Sequence, residues 1–532
     1  MTERDLATPA GAQRTGRGGS AAAPGGASAG TPAQAGSSGV ATLLRRHWLI
    51  GLLLLAGLVL RVLAEAAYQP ALIYVDTLKY LYSASPGADP MGYMIILRGI
   101  LPVGNLSVVA AIQHLLGLGL GLALYLVLLR QAAPRWLAAL AAAPVLLDGY
   151  QVQIEQTIMP DVWFEALVVA GLCVLLWRPA VTMRLAAVAG LVLGCAALVR
   201  QIGEALILPA LVYLLVRGGG LRLVAIRVVA LGVAFALPVL SYCAVSYAKT
   251  GNFWLARGQS MTGRLTAVAD CATLRLPADL RPLCPTPAEQ AHGPDWLEHS
   301  GHSPLYRAPI PAGANRDQLI AELGAAIEHQ QPLRVAGSIA RDSVRLFALT
   351  RTPNAWVTPI SRWQFQTYYP TYPRWVSLGA GNTIIVGLQP VPFGRFIERP
   401  LKPHYGGPAH VDRPVAAFLR SYQLNGGYTP GPALALLALL AVAGSVLALF
   451  QRGASPRTRR LALACLLFTG TAAVLLLAPD LYEFSWRYEL PAVITLPPAG
   501  LLGLAALASR IRDRRQPPAT APQAATEAPP AA

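Results

Sequence analysis

The chain has 532 residues, of which 54% are hydrophobic and only 13% are charged, and its mean hydropathy is +0.46. A soluble domain does not need this apolar content, and the apolar residues fall in runs of roughly 18 to 25, the length of a transmembrane helix. The net charge of +17 comes mainly from arginines in short links between these runs. It therefore indicates membrane topology and does not imply a nucleic-acid partner. The sequence predicts an all-α polytopic membrane protein embedded in a lipid bilayer.

The apolar runs predict about ten transmembrane helices, seven before a long polar segment and three after it. A tail of small and polar residues, 1–44, is too poor in core-forming side chains to fold and is predicted to be disordered and cytoplasmic. The predicted spans are roughly 48–67, 106–129, 136–149, 160–177, 184–200, 204–216, 222–247, 432–451, 461–478 and 489–508.

These spans divide the rest of the chain into four predicted parts. An N-terminal transmembrane catalytic module covers 45–250, and a large extracytoplasmic domain of mixed structure covers 251–430, between helices 7 and 8. The C-terminal helices cover 431–509, and a second cytoplasmic tail covers 510–532. Within the long segment, Asn315 is predicted to cap a helix in which Gln318 reaches back to the cap.

Arginine counting sets the predicted orientation in the cell (plasma) membrane. Short basic links occur at alternate ends of the spans, and the positive-inside rule makes those ends cytoplasmic. Both termini are then predicted inside. The links poor in basic residues, including 149–159 and 479–488, and the long segments 68–105 and 248–431 are predicted outside.

The six cysteines fall into two groups. Four lie inside apolar runs, whereas Cys271 and Cys284 flank a short polar loop. This pair is a disulfide candidate if the loop faces an oxidising compartment, and two free thiols are the alternative.

Charged residues at a membrane edge are costly and tend to mark function. In this chain they gather at the predicted outer ends of the helices. They are Asp76, Lys79, Asp89, Asp148, Glu155, Asp161, Arg200, Glu204, Asp480, Glu483, Arg487 and Glu489.

The order of motifs among these residues resembles a known superfamily. One span is followed by a loop that opens with Asp76 and continues as Lys79-Tyr80 and Pro90-Met91-Gly92-Tyr93. The second outer loop reads Glu155-Gln156-Thr157-Ile158-Met159-Pro160-Asp161. This pattern resembles the GT-C glycosyltransferases, and within them the branch of protein O-mannosyltransferases and aminoarabinose transferases of lipid A. Two later stretches also match positions common in that branch, Leu198-Val199-Arg200-Gln201 and Trp486-Arg487-Tyr488.

The resemblance implies an enzyme that transfers a sugar from a polyprenyl-phosphate donor to an extracytoplasmic glycan, lipid or protein, with inversion at the anomeric carbon. Such a displacement needs a base for the acceptor hydroxyl, and Asp76 is the candidate. It also needs cations for the phosphate leaving group. Arg200 is the candidate for bidentate phosphate binding, with Lys79 and Arg487 as further cations.

Each of these residues has a structural alternative. Asp76 could cap the helix that follows it, and Arg200 could pair with Glu204 one helical turn away. Lys79 and Arg487 could be interfacial anchors.

Glu155 and Asp161 are candidates for binding the acceptor or a metal, or they could cap the fourth span. No cofactor is assigned, and a divalent metal is left open because the acids are separated in sequence and many GT-C relatives have paired acids where Thr77 follows Asp76.

Two rival functions are compatible with a membrane protein of this kind. A transporter or flippase for a lipid-linked sugar would place charges near the midplane of two related halves, which seven plus three helices fit poorly. A non-catalytic cell-envelope assembly protein would use the outer domain only for binding. Neither a phosphate-cradling GxxxxGK[ST] run nor a dinucleotide fingerprint is present in the sequence, in keeping with a lipid-linked donor.

Overall fold

The computed structural model describes residues 35–82, 89–256, 261–352, 355–369, 375–377, 383–385, 406, 409–450 and 453–515. The predicted tails before residue 35 and after residue 515 lie outside this range. The chain divides into two units, Met1–Trp48 and Leu49–Ala532. All contacts given below belong to the second unit.

The described chain is mostly helical. Its N-terminal half contains the helices Ala35–Ala67, Val75–Tyr82, Gly92–Ile100, Leu106–Arg130, Arg135–Leu147, Gly149–Gln156, Asp161–Leu176, Met183–Val199, Gln201–Leu206 (a 3₁₀ helix), Ile207–Arg217 and Leu221–Thr250. The C-terminal helices are Gly431–Leu449, Pro456–Asp480 and Leu490–Arg515.

Within the described residues, six helices are long and apolar enough to cross a membrane. They are Arg45–Ala67, Leu106–Arg130, Leu221–Thr250, Gly431–Leu449, Pro456–Asp480 and Leu490–Arg515. A seventh span results if Arg135–Leu147 and Gly149–Gln156, which meet at 49°, are counted as one. Apolar side chains such as Val229, Val233 and Leu237 are exposed along Leu221–Thr250. Exposed apolar surface on so long a helix is suited to lipid, in agreement with the predicted multi-pass architecture.

The remaining predicted spans coincide with shorter helices. Asp161–Leu176, Met183–Val199 and Ile207–Arg217 have 16, 17 and 11 residues. The total of about ten spans therefore stays a prediction.

The predicted outer loop 149–159 differs from the structure, because most of it is the buried helix Gly149–Gln156. The Asp148 carboxylate caps this helix by accepting the Tyr150 N–H at 2.9 Å, and it also accepts the Thr429 N–H at 2.7 Å. An acid at a helix start satisfies backbone donors that have no partner inside the helix.

The segment between the two groups of long helices contains short helices. They are Thr262–Val268, Arg281–Leu283, Pro287–Gln290, Pro294–His299, Pro304–Arg307, Arg316–Gln330, Pro332–Ser343, Arg345–Phe347, Ile360–Trp363 and Arg413–Leu424. Asn315 caps Arg316–Gln330 as predicted, accepting the N–H groups of Asp317 and Gln318. The Gln318 side chain donates to Glu322 instead of reaching back to the cap. Leu319, Leu323 and Ile327 are buried in a hydrophobic cluster of this segment.

The described residues also contain two short antiparallel strand pairs and one disulfide. Tyr68–Gln69 pairs with His410–Val411, and Trp375–Ser377 pairs with Thr383–Ile385. Cys271 and Cys284 are joined by a disulfide.

Candidate functional site

Asp76 and Lys79 lie on the short helix Val75–Tyr82. The Thr77 hydroxyl fixes the start of this helix, because it accepts the Tyr74 N–H at 3.0 Å and donates to the Ile158 carbonyl at 2.9 Å. The helix is thereby tied to the stretch before Asp161. With Asp76 and Lys79 three residues apart on one helical face, Lys79 Nζ is 3.3 Å from Asp76 Oδ1, and it also pairs with Asp89.

Asp161 begins the helix Asp161–Leu176 and is fully buried. Its carboxylate binds two arginines from distant parts of the chain. Arg200 Nη1 donates to Oδ1 at 2.6 Å, and Arg487 donates through Nε to Oδ1 at 3.1 Å and through Nη2 to Oδ2 at 3.0 Å. The contact from Arg487 is bidentate, the geometry that a planar guanidinium favours with a carboxylate.

Arg487 joins the two predicted acids into one cluster. While it binds Asp161, its Nη1 also donates to Asp76 Oδ2 at 3.1 Å. Tyr488 lies between the arginines, with its ring centroid 5.3 Å from the Arg200 guanidinium carbon and 5.5 Å from that of Arg487. Three carboxylates, Asp76, Asp89 and Asp161, thus meet three cations, Lys79, Arg200 and Arg487.

The motifs of the sequence resemblance also pack against each other. Gly92 lies so close to the end of Met183–Val199 that a Cβ atom there would be 2.3 Å from the Leu198 carbonyl oxygen. Only a glycine permits this approach of Pro90-Met91-Gly92-Tyr93 to Leu198-Val199-Arg200-Gln201. The contact helps to explain why Arg200 and the helix with Asp76 share one site.

A cavity of about 230 Å³ opens beside this cluster. Its lining includes the charged residues Asp76, Lys79, Arg200 and Arg487 and the apolar residues Ile202, Ala205, Ala478 and Leu481. Further lining residues are Tyr80, Asp89, Gln201, Glu204, Pro479, Tyr482 and Tyr488. The lining of one cavity therefore combines charged and apolar side chains, as an amphipathic ligand requires.

The cations determine the protonation state of Asp76. Burial alone would raise its pKa, but the charges of Lys79 and Arg487 and their hydrogen bonds outweigh burial and lower the pKa to about 2. The same acids keep the Lys79 ammonium protonated, since the charges of Asp76 and Asp89 raise its pKa well above the usual value despite burial. At neutral pH Asp76 is therefore ionised and Lys79 is charged.

Glu155 is the predicted site residue that the structure places elsewhere. Its carboxylate is fully buried, 2.7 Å from Arg61 Nη2 and 3.1 Å from His114 Nδ1. Glu155 does not line the cavity, and it contacts neither Asp76 nor Asp161 in the described chain. Glu155 pairs instead with Arg61 on the first long helix, and its assignment as an acceptor or metal residue stays a prediction.

Gly117 makes room for this buried ion pair. A Cβ atom at this position would be 2.1 Å from Glu155 Oε1. We expect Gly117→Ala to destabilise the protein by about 1 to 3 kcal/mol, since the buried carboxylate has to move from its partners. Gly119→Ala in the same helix is the matched control, because its Cβ meets no atom within 4 Å. Thermal unfolding in detergent compares the two variants, and equal melting temperatures would contradict the expectation.

The structure shows the partners of several side chains whose roles the sequence left open. Asp76 lies inside the first turn of its helix, and its side chain is engaged with Lys79 and Arg487. Arg200 pairs with Asp161 and not with Glu204. Among the described residues, no group of three or more His, Cys, Asp or Glu side chains is arranged to hold a metal ion.

Three residues near the site were not among the predicted site residues. Asp89 pairs with Lys79, Tyr488 contacts both arginines, and Glu483 lies four residues before Arg487. Asp89 and Glu483 belong to the set of acids at predicted outer helix ends, and Tyr488 is part of Trp486-Arg487-Tyr488. Charge at helix ends and the motif around Arg487 therefore point to these residues. The sequence does not indicate which of their side chains face the cavity.

No family model and no curated protein matches the chain. Among solved structures, the chain is similar to the archaeal oligosaccharyltransferase AglB from Archaeoglobus fulgidus, determined in complex with an inhibitory peptide and a dolichol-phosphate. The identity is 13% and the TM-score is 0.39, and the match covers 89% of this chain and 52% of the other. The chain thus spans about half the length of that structure.

Proposed function

We propose that the protein is an integral-membrane glycosyltransferase of the GT-C type that uses a polyprenyl-phosphate sugar as donor. The observation that carries this proposal is the cavity whose lining combines Asp76, Lys79, Arg200 and Arg487 with apolar side chains. A donor of this class has an anionic phosphate beside a long apolar chain. Both halves of such a molecule find matching surfaces in one cavity.

The proposed reaction is a single displacement at the anomeric carbon. The acceptor oxygen forms a bond to that carbon while the bond from the carbon to the phosphate oxygen breaks, and the electron pair leaves with the phosphate. The acceptor proton passes to the Asp76 carboxylate. Lys79, Arg200 and Arg487 stabilise the additional negative charge that develops on the departing polyprenyl phosphate.

In the proposed reaction, donor binding changes the ion pairs of Asp76 and thereby makes its carboxylate a stronger base. In the free protein, Lys79 and Arg487 hold its pKa at about 2, far below the value that suits a general base at neutral pH. A donor phosphate binding to the same two cations shares their charge, so the pKa of Asp76 rises. The base is then strengthened only when the donor is present.

Arg200 is expected to contribute mainly to donor binding. It lines the cavity, and it remains partly exposed while it pairs with Asp161. We expect Arg200→Ala to weaken donor binding by about 10- to 100-fold, as for the loss of one charged hydrogen-bonding group. Arg184→Ala, at the exposed opposite end of the same helix, is the control. Unchanged donor affinity of the purified Arg200→Ala protein would remove Arg200 from the phosphate site.

One assay separates the proposed enzyme from a flippase. The chain is placed in vesicles with a polyprenyl-phosphate sugar labelled in the sugar, and cleavage of the sugar–phosphate bond is measured separately from movement of the intact lipid. A glycosyltransferase releases free polyprenyl phosphate. Translocation of the intact labelled lipid without cleavage would favour the flippase.

A further inference from the structure

A second group of polar side chains lies near Asp76, and several of its members belong to the segment 251–430. Arg362 Nη1 donates to the Tyr74 hydroxyl at 3.1 Å, and Tyr74 precedes Asp76 by two residues. The Tyr74 ring packs on Trp363 with centroids 4.7 Å apart, and the Arg487 guanidinium carbon lies 5.3 Å from the centre of the Trp363 ring. The helix Ile360–Trp363 therefore packs against Tyr74 and Arg487, which both neighbour Asp76.

Glu483 belongs to this second group. Its Oε1 accepts a hydrogen bond from the Thr358 hydroxyl at 3.0 Å. The backbone N–H of Thr358 also donates to the carbonyl of Phe484, the next residue, at 3.3 Å. Glu483 does not line the cavity of the cations, although Tyr482 before it and Arg487 after it do. Glu483 as a residue is partly exposed.

Asp295, His299 and Arg362 complete what we call the Glu483 group, together with Tyr74 and Thr358. Asp295 Oδ2 is 3.9 Å from Arg362 Nη2, and Asp295 Oδ1 is 3.4 Å from His299 Nδ1. About 40% of the Arg362 side chain and 38% of Asp295 are exposed. The group thus offers acceptors and donors of both charges at an open surface beside the buried site.

The position of the Glu483 group fits the geometry of an inverting displacement. The donor phosphate, in the proposed function, lies against Lys79, Arg200 and Arg487. The acceptor has to approach the anomeric carbon from the face opposite the phosphate. The Glu483 group borders Asp76 through Tyr74 and lies outside the cation cavity, so it is a surface from which an acceptor can reach the base.

The chemistry of the group favours a polyhydroxylated acceptor. Carboxylates and a guanidinium bind hydroxyl groups as acceptors and donors, and nearby aromatic rings present apolar faces to sugar rings. The helix Pro294–His299 supplies such a ring in Trp296, which stacks on His292 with centroids 4.5 Å apart. Two carboxylates and two basic side chains give the group no strong net charge, which disfavours a highly charged partner.

We propose that the Glu483 group is the acceptor site of the enzyme, that its ligand is the end of a glycan, and that Glu483 positions the acceptor hydroxyl for Asp76. This inference rests on the proposed function for the identity of the reaction. Glu483 acts by accepting a hydrogen bond from the sugar, whereas the proton itself passes to Asp76.

The ionisation of Glu483 provides a specific signature of this role. Burial, together with the negative charge of Asp295, raises the pKa of Glu483 to about 7, although the Thr358 hydrogen bond and the charges of His299 and Arg362 lower it. Burial and the negative charge of Glu483 raise the pKa of Tyr488. Below pH 7 the carboxyl is protonated and loses acceptor capacity, so acceptor binding weakens as pH falls through this value.

Glu483→Gln in the full-length chain tests the proposal, because the amide retains an oxygen for the Thr358 hydroxyl. Binding of methyl glycosides of mannose, glucose and arabinose is measured by saturation-transfer NMR without donor, between pH 5.5 and 8.5. We expect about a tenfold loss of glycoside affinity at pH 8 and no pH dependence near 7 in the variant. Glu328→Gln, an exposed acid of the same segment, is the control and should behave as the wild type.

A second readout is independent of the acceptor. Donor affinity, measured by titration without acceptor, should stay within about twofold of the wild type in Glu483→Gln, because Glu483 does not line the cation cavity. Equal glycoside affinity and equal pH dependence in wild type and variant would overturn the acceptor site. Preferential binding of a threonine-rich peptide through Glu483 would overturn the glycan assignment. Glycoside binding that depends on Glu483 in a protein that consumes no polyprenyl-phosphate sugar would support the sugar site and reject only the proposed donor.

Discussion

Asp76→Asn is expected to reduce sugar transfer by about 10²- to 10⁴-fold, the usual contribution of a positioned base. The amide cannot take the acceptor proton, but it is nearly isosteric with the carboxylate. Donor binding should be at least as tight as in the wild type, because Lys79 and Arg487 lose one competing anion and stay available to the phosphate. Steady-state transfer rates and donor binding measured on the same purified protein check both parts.

The control for this variant is Asp279→Asn, which makes the same chemical change in the segment 251–430, away from the cavity. It should retain full activity. Full turnover of Asp76→Asn would reject Asp76 as the base. A large loss of donor affinity in that variant would instead indicate that Asp76 holds the donor.

Arg487→Ala is expected to have the second large effect, because one guanidinium binds both Asp76 and Asp161. Its removal leaves the buried Asp161 with Arg200 as its remaining cation. Breaking a buried pair in this way costs about 3 to 5 kcal/mol. We therefore expect a lower melting temperature together with loss of donor binding, measured by thermal unfolding and by donor titration.

Arg487→Lys is the matched variant if the alanine protein fails to fold. Lysine retains the charge but cannot make the bidentate contact to Asp161 while reaching Asp76. It should fold, and bind the donor about tenfold more weakly. If Arg487→Ala has the same melting temperature and the same donor affinity as the wild type, the proposed central role of Arg487 is wrong.

The sequence predicted which residues gather at the site better than it predicted their partners. The five site residues are separated by up to 411 positions in the sequence. The predicted helix ends and the charges of the short loops nevertheless place all of them on one side of the predicted bundle. They are Asp76, Lys79, Asp161, Arg200 and Arg487. Hydropathy and the positive-inside rule depend only on composition along the chain. These two rules therefore locate the helix ends, but they contain no information on tertiary contacts.

Partner choice depends on side-chain direction, which the sequence pattern does not contain. Arg200 had a local candidate in Glu204, but Met183–Val199 ends at Val199 and the extended backbone at Arg200 turns its side chain to Asp161. The sequence predicts that Glu155 lies in a loop with Asp161. It lies instead on a buried helix that directs it to Arg61. A one-residue change in helix start or end is enough to exchange such partners.

The proposal that the protein transfers a sugar from a polyprenyl phosphate is tested most directly by donor consumption. The purified wild-type chain is incubated with each of several radiolabelled polyprenyl-phosphate sugars, including arabinose and mannose donors, and release of free polyprenyl phosphate is measured against Asp76→Asn. We expect the wild type to consume at least one donor and Asp76→Asn to consume it at least about 100-fold more slowly. Consumption of no donor, or equal consumption by both proteins, would contradict the proposed function and the role of Asp76 respectively.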